Sequence, residues 1–336
     1  MVGAWGRVAW LFVGLLGVMV PLVVGGDVRA VVRGPAEAVV RGPAESAGVT
    51  GGGLTFLGVR VPLLAAGWEV LRGPEGARLL VDQRRVTARG EVPGKEIARR
   101  LNRYLAGRTG RVAVMVKELG SGRTYSYHAK ERMITASVAK VQILMALLLR
   151  TPWKKLPAAV RRDADRMIRY SDNHAADRLW VRIGGVKGFD AAGRRFGLRH
   201  TRGVAGRCVD LYCWGITQTY VDDQVRLMAA LVAKKSPLDR RDRAQVRRLM
   251  GAVVNGQNWG ISAAACRGER VELKNGWLRR ESNGRWATAS VGLIRGDGRD
   301  FAVAVLSEGS PEVGYGIATV EGVAERVMKA FRSCPG

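Results

Sequence analysis

Residues 138–149 are apolar on nearly every helical face. A helix of that kind has no side to offer water, so the rest of a domain must wrap around it. The periodicities on either side say what the wrapping consists of. Ile97, Leu101, Tyr104 and Leu105 fall at helical spacing, and Gly107 and Gly110 close that helix. Residues 111–119 alternate around Val112, Val114 and Val116 as a strand, Gly120-Ser121-Gly122 turns, and 124–128 returns as a second strand. Beyond the apolar helix, helical patterns fit 163–170, 174–183, 186–196, 220–233 and 243–254. Strands follow at 270–278, 286–294 and 301–306, then a last helix at 315–331. Helix, two strands, a block of helices, three strands and a helix predict an α+β domain: one antiparallel five-stranded sheet flanked by helices, with an inserted all-helical lobe.

That domain is expected to span 95–336. Ahead of it, Arg7 precedes an uncharged apolar run at 8–24, and Val28-Arg29-Ala30 offers a small-residue cleavage site. Residues 1–30 therefore read as a secretory signal peptide, or as an uncleaved membrane anchor if the run spans a bilayer. Either places the domain outside the cytoplasm. Residues 31–94 read as a linker and an N-terminal extension without assigned function, with Val-Val-Arg-Gly-Pro-Ala-Glu duplicated from Val31 and Val39.

Export gives meaning to the four cysteines, Cys208, Cys213, Cys266 and Cys334, for which Cys208–Cys213 and Cys266–Cys334 is the preferred pairing. No metal site is expected, since no C-x-x-C is present and His128, His174 and His200 are far apart in sequence. A net charge of +26 suits polyanions. Nucleic acid is not the expected partner, because neither zinc-finger spacing nor an RNP-type motif occurs; anionic cell-wall polymers are, unless the charge is simply a solvated face.

Three short motifs carry the chemistry: Ser137-Val138-Ala139-Lys140, Ser171-Asp172-Asn173 and Lys274-Asn275-Gly276. At this composition chance supplies about 0.4 S-x-x-K and about 1.4 K-x-G, but only about 0.009 S-D-N. The trio is specific where its parts are not. Ser137 lies three residues before Lys140, so a helix puts both on one face. A serine hydroxyl becomes a nucleophile when a base takes its proton. A lysine can be that base if burial and a second cation, here Lys274, strip its charge near neutral pH. The plainer readings are a helix-capping Ser137, turn residues at 171–173, and a hairpin at Asn275-Gly276. Asn283-Gly284 suits the hairpin better, which leaves Asn275-Gly276 inside a strand where glycine lets a substrate backbone approach.

In these motifs and their order, residues 95–334 resemble the class A β-lactamase and penicillin-binding serine hydrolases. The stretch from Lys274-Asn275-Gly276-Trp277 through Tyr315-Gly316-Ile317-Ala318-Thr319-Val320 is similar to exported actinobacterial members called serine hydrolases. The resemblance implies Ser137 as nucleophile, Lys140 as its base, and Ser171 and Lys274 in support. It also implies Asn173, Asn275, Gly276, Trp277 and Arg285 around the substrate, with an oxyanion hole from the Ser137 and Trp277 N–H groups. No cofactor is implied, the chain is expected to be a monomer, and the substrate class is a β-lactam or D-Ala-type acyl donor.

Three departures stand out. Glutamate is absent between Glu131 and Glu269, where the family places the residue that activates the deacylating water, and 201–217 offers only Asp210, either a substitute base or a structural residue. Asn275 stands in for a hydroxyl residue that helps bind a substrate carboxylate, with Arg285 as the compensating cation. The segment between Ser137 and Ser171 is short, so the cleft should be more open. Three functions remain: a β-lactamase-like hydrolase that acylates and deacylates slowly, a peptidoglycan D,D-peptidase or esterase, and a cell-envelope binding protein without turnover.

Overall fold

The computed structural model describes residues 92–204, 213–296 and 298–334, and, ahead of them, the backbone of strands between Val8 and Asp82. The chain divides into two units, Met1–Glu91 and Val92–Gly336. In the first, antiparallel pairs join Val8–Val13 to Val18–Val23, Asp27–Val32 to Ala38–Pro43 and Trp68–Arg72 to Arg78–Asp82, and Ala47–Thr50, Gly53–Phe56 and Val59–Pro62 form a three-stranded meander. The two copies of the duplicated segment meet in one pair, Val31 opposite Val39. Strands thus occupy part of the stretch read as a linker, in keeping with the β-propensity of its paired valines.

The second unit opens with α1 (Gly94–Leu105), then β1 (Arg111–Glu118), β2 (Thr124–Tyr127) and the short β3 (Met133–Ile134). Helices α2 (Ala139–Arg150), α3 (Ala158–Arg169), α4 (Asn173–Arg182) and α5 (Gly185–Arg195) follow. After β4 (Gln218–Thr219) come α6 (Val221–Ala230) and α7 (Arg240–Met250), then β5 (Arg270–Arg279), β6 (Trp286–Gly296), β7 (Arg299–Ser310) and α8 (Val313–Phe331). Strands β2-β1-β7-β6-β5 form one antiparallel sheet in that order, so the expected α+β architecture with its helical insertion is present.

Period-two alternation sorts the core onto both faces of the sheet. Val112, Val114, Val116, Phe301, Val303 and Val305 pack with Ile97, Leu101, Val320 and Val327 of α1 and α8. Ala113, Ala302, Ala304 and Leu306 point the other way, toward α2 and the helical lobe. Helix α2 is buried from Ala139 to Leu148, as its all-round apolarity requires. Two helices start earlier than their apolar spacing indicated. Pro157, whose fixed φ and missing N–H suit a helix start, begins α3 at Ala158, and Asp239 caps α7 by accepting from Asp242 N at 2.8 Å.

Cys266 and Cys334 form the expected disulfide, closing a 68-residue separation onto the end of α8. Cys213 is also disulfide-bonded, while its expected partner Cys208 lies outside the described residues. Loop-closure entropy gives the Cys266–Cys334 link about 4 kcal/mol. Cys334→Ser should therefore lower the denaturant midpoint clearly, and an unchanged midpoint would contradict that account. Among the described residues no helix is long and apolar enough to cross a membrane.

Candidate active site

Strand β5 is the edge of the sheet, so one row of its backbone groups faces outward from the ladder. The chain ahead of α2 comes up against that edge. Residues 136–138 form a 3₁₀ turn, the N-cap of α2 is Val138, and Ser137 makes no capping bond. Capping is therefore not what Ser137 does here. Ala136 is held at φ 45, in the left-handed region that L-residues avoid. It stays there because Ala136 N donates to Gly215 O at 2.8 Å and Thr135 N to Thr217 O at 2.9 Å, while β3 pairs with β4. Such a conformation persists only where surrounding bonds over-determine it, as they do here.

Gly276, in the middle of β5 opposite Ala289, lies against this turn. A Cβ there would sit 2.6 Å from Ser137 N and 3.0 Å from Thr135 O, so only glycine lets the strand edge and the turn approach. The hairpin falls at Gly284 (φ 67) instead, as the second Asn-Gly indicated. Gly276→Ala is expected to displace the Ser137 backbone and cut its acylation rate by about 10²-fold or more, the cost of a lost oxyanion donor. The melting temperature should fall as well, since the clash is with backbone atoms, and unchanged acylation would refute the close-approach role.

Lys140 is fully buried at the start of α2. Its Nζ meets Ser171 O at 2.5 Å, Asn173 Oδ1 at 2.7 Å and Ser171 Oγ at 3.1 Å, and lies 4.5 Å from the centroid of the Trp214 ring. Two of these partners only accept, and the third is a hydroxyl that can also donate. A neutral amine, with two N–H groups and one lone pair, satisfies all three. Burial, and then the nearby Lys274, pull the Lys140 pKa down to about 6 against the opposing pull of Asp172 and Asp177. Lys274 is buried too, donates to Asn275 O at 2.7 Å, and is pushed down to about 7 by its desolvation. Lys140 and Ser137 are one turn apart, and no hydrogen bond joins their side chains among the described residues. Catalytic hydrogen bonds of unliganded sites often tighten only when substrate binds.

Ser171 occupies a second left-handed position, φ 58, between α3 and α4. Asp172 caps α4 by accepting from Ala175 N at 2.8 Å and pairs with Arg166 at 2.9 Å. Burial works against its charge, but the Ala175 N–H and the Arg166 guanidinium hold its pKa below the usual carboxylate value. Asn173 opens α4 with its oxygen on Lys140, and its Nδ2 has no protein partner among the described residues.

Two expected substrate contacts are not brought to the cleft. Asn275 points into the protein, fully buried, with Nδ2 donating to Gln257 O at 2.9 Å and Trp259 O at 2.8 Å. Alternation along β5 puts it on the opposite face from Lys274 and Gly276. Arg285 is exposed in the hairpin turn, four residues from the Ala289 that faces Gly276, roughly 13 Å along the strand. The hairpin is too long for Arg285 to stand in for a carboxylate partner. Trp277 is 37% exposed at the edge, tilted against Trp259 with ring centroids 6.1 Å apart. Asp210 lies outside the described residues.

Trp214 and Asp177 belong to the site and were not foreseen. The Trp214 indole forms the floor under Lys140 and donates to Asp177 Oδ1 at 2.8 Å. Asp177 is four residues after Asn173 on one helix, so the i,i+4 rule could have flagged it. Trp214 carries no such signal, because a loop delivers it. His200, Asp222 and Asp223 group closely enough to hold a cation, but Asp223 already accepts from the Arg199, His200, Thr201 and Arg226 donors, which reads as structural.

A family model described as the beta-lactamase enzyme family matches residues 96–156 and 153–331. No curated protein matches the chain. Among solved structures, a class A beta-lactamase from Bacteroides cellulosilyticus superposes with a TM-score of 0.62 at 16% identity, covering 72% of this chain and 99% of its own. PBP-A gives 0.62 at 18% identity over 72% and 97% of the two chains. A class A beta-lactamase from Mycobacterium abscessus gives 0.59 at 24% identity over 71% and 98%.

Proposed function

This chain belongs to the beta-lactamase enzyme family, and we propose that it is an exported serine hydrolase that forms an acyl-enzyme on Ser137 with β-lactams or related acyl donors. The observation that carries this reading is the wholly buried Lys140, its pKa near 6, bonded to Ser171 one helical turn from an uncapped serine. In the proposed step the lone pair of the neutral Lys140 amine takes the Ser137 proton. The Ser137 oxygen then bonds to the carbonyl carbon. As the carbon–nitrogen bond breaks, the proton passes from Lys140 through the Ser171 hydroxyl to the leaving nitrogen. Gly276 admits the substrate edge-on to β5, and the N–H groups of Ser137 and Trp277 face the developing oxyanion. The free Nδ2 of Asn173 suits the substrate amide. The Cys266–Cys334 disulfide supports an oxidising, extracytoplasmic compartment.

Deacylation needs a base for water, and among the described residues the carboxylates acting on Lys140 are occupied. Asp172 caps α4 and pairs with Arg166, and Asp177 holds Trp214. The ester should therefore outlive its formation. Intact-mass measurement after mixing with penicillin G is expected to show a stoichiometric adduct that persists for many minutes. Rapid return to the free mass with steady product release would refute slow deacylation and point to Asp210 as the substitute base, and the absence of any adduct would refute acylation.

One observation favours a second reading, an esterase on the same scaffold. With Asn275 turned inward and Arg285 at the hairpin tip, a substrate carboxylate loses its expected partners. Faster turnover of neutral acyl esters than of a chromogenic cephalosporin would select it.

A further inference from the structure

We propose that the helical lobe carries a binding groove for a carboxylate-bearing glycan chain. The groove, of about 810 Å³, runs along α3 and is lined by Trp153, Arg161, Arg162, Asp165, Arg166 and Tyr170. Its volume is that of a small-ligand site, with three guanidiniums against one carboxylate. Two of the three guanidiniums are not neutralised from within. Asp165 pairs with Arg169 and Arg166 with Asp172, whereas among the described residues no carboxylate lies within ion-pair distance of Arg161 or Arg162. Lys154 and Lys155, both exposed, follow Trp153 in the same turn and add to the field.

The aromatic residues fix the kind of anion. Tyr170 is 52% exposed, an unusual cost for a large ring, with the Arg169 guanidinium 5.4 Å from its centroid. Trp153, half-buried, shares the same groove. The electron-rich faces of such rings take the C–H faces of sugars, and guanidinium forks take carboxylates two oxygens at a time. Nucleic acid could use the same elements, but the disulfides favour an oxidising, extracytoplasmic compartment, where nucleic acid is not the expected polyanion. The groove also ends at the catalytic segment: Tyr170 immediately precedes Ser171, and Arg166 holds Asp172. A bound chain would hold the protein beside its polymer without occupying the Ser137 cleft, so the inference stands whether or not the acylation reading does.

Calorimetric titration of the full chain with polygalacturonate, with neutral dextran as the control, tests this. Binding is expected for polygalacturonate alone and should weaken with added salt. Arg161→Ala with Arg162→Ala should weaken it about tenfold, as expected for two charge contacts, one half-buried and one exposed. The single reversal Arg162→Glu, at an exposed position, should give a comparable loss. Arg240→Ala with Arg241→Ala, which removes the same charge from exposed sites on α7, should change affinity less than about twofold. Melting temperature and the rate of acylation by penicillin should stay at wild-type values in all three. The inference is overturned if polygalacturonate does not bind, if both double variants weaken it equally, or if a single-stranded oligonucleotide binds more tightly and loses affinity with the same α3 variants.

Discussion

Ser137→Ala is expected to erase the penicillin adduct from the intact-mass spectrum while leaving the melting temperature within a few degrees of wild type. Its Oγ caps no helix and makes no hydrogen bond among the described residues, so folding loses little with it. Chemistry loses nearly everything, because without an oxygen nucleophile no ester can form. Removal of a serine nucleophile costs on the order of 10⁶-fold in comparable hydrolases. An adduct of undiminished yield on the alanine variant would move the nucleophile elsewhere and end the present assignment.

Lys140→Met should give the second largest effect, a fall in acylation rate of about 10²–10⁴-fold, the range of a general base. The pH dependence separates this from a packing defect. In the wild type, Lys140 is an ammonium without a lone pair below about pH 6 and a neutral amine above it. Acylation should therefore climb as pH rises through about 6, level off near neutrality, and lose that limb in the methionine variant. Lys274 adds a direction. Its charge helps depress the Lys140 value, so Lys274→Met should move the limb to higher pH. A shift to lower pH, or a rate indifferent to pH between 5 and 8 in the wild type, would exclude Lys140 as the base.

Much of the architecture is legible because its signals are local. Alternation in β1 and β7 names the residues on each sheet face, and the all-round apolarity of α2 demands burial. The rarity of Ser-Asp-Asn, joined with the two lysine motifs, points to the three segments that meet around Lys140. Helix starts are less legible where a lone Pro157 or Asp239 outweighs the apolar spacing. The roles of Asn275 and Arg285 are misread from sequence for a related reason. Motif position does not say to which side of an edge strand a side chain turns, nor how long the following hairpin is.

The residues alone thus determined the α+β class, the inward lysine and the glycine within the strand, since each rests on neighbours a few positions apart, while for Cys266–Cys334 they offered a preference among three pairings. Tertiary packing alone decided that Trp214 and Asp177 build the floor under Lys140, that Ala136 and Ser171 are held left-handed, and that unpaired arginines gather beside Tyr170 on the helical lobe. These depend on loops and helices brought together from distant parts of the chain, and burial and field strength exist only once that chain has closed around them.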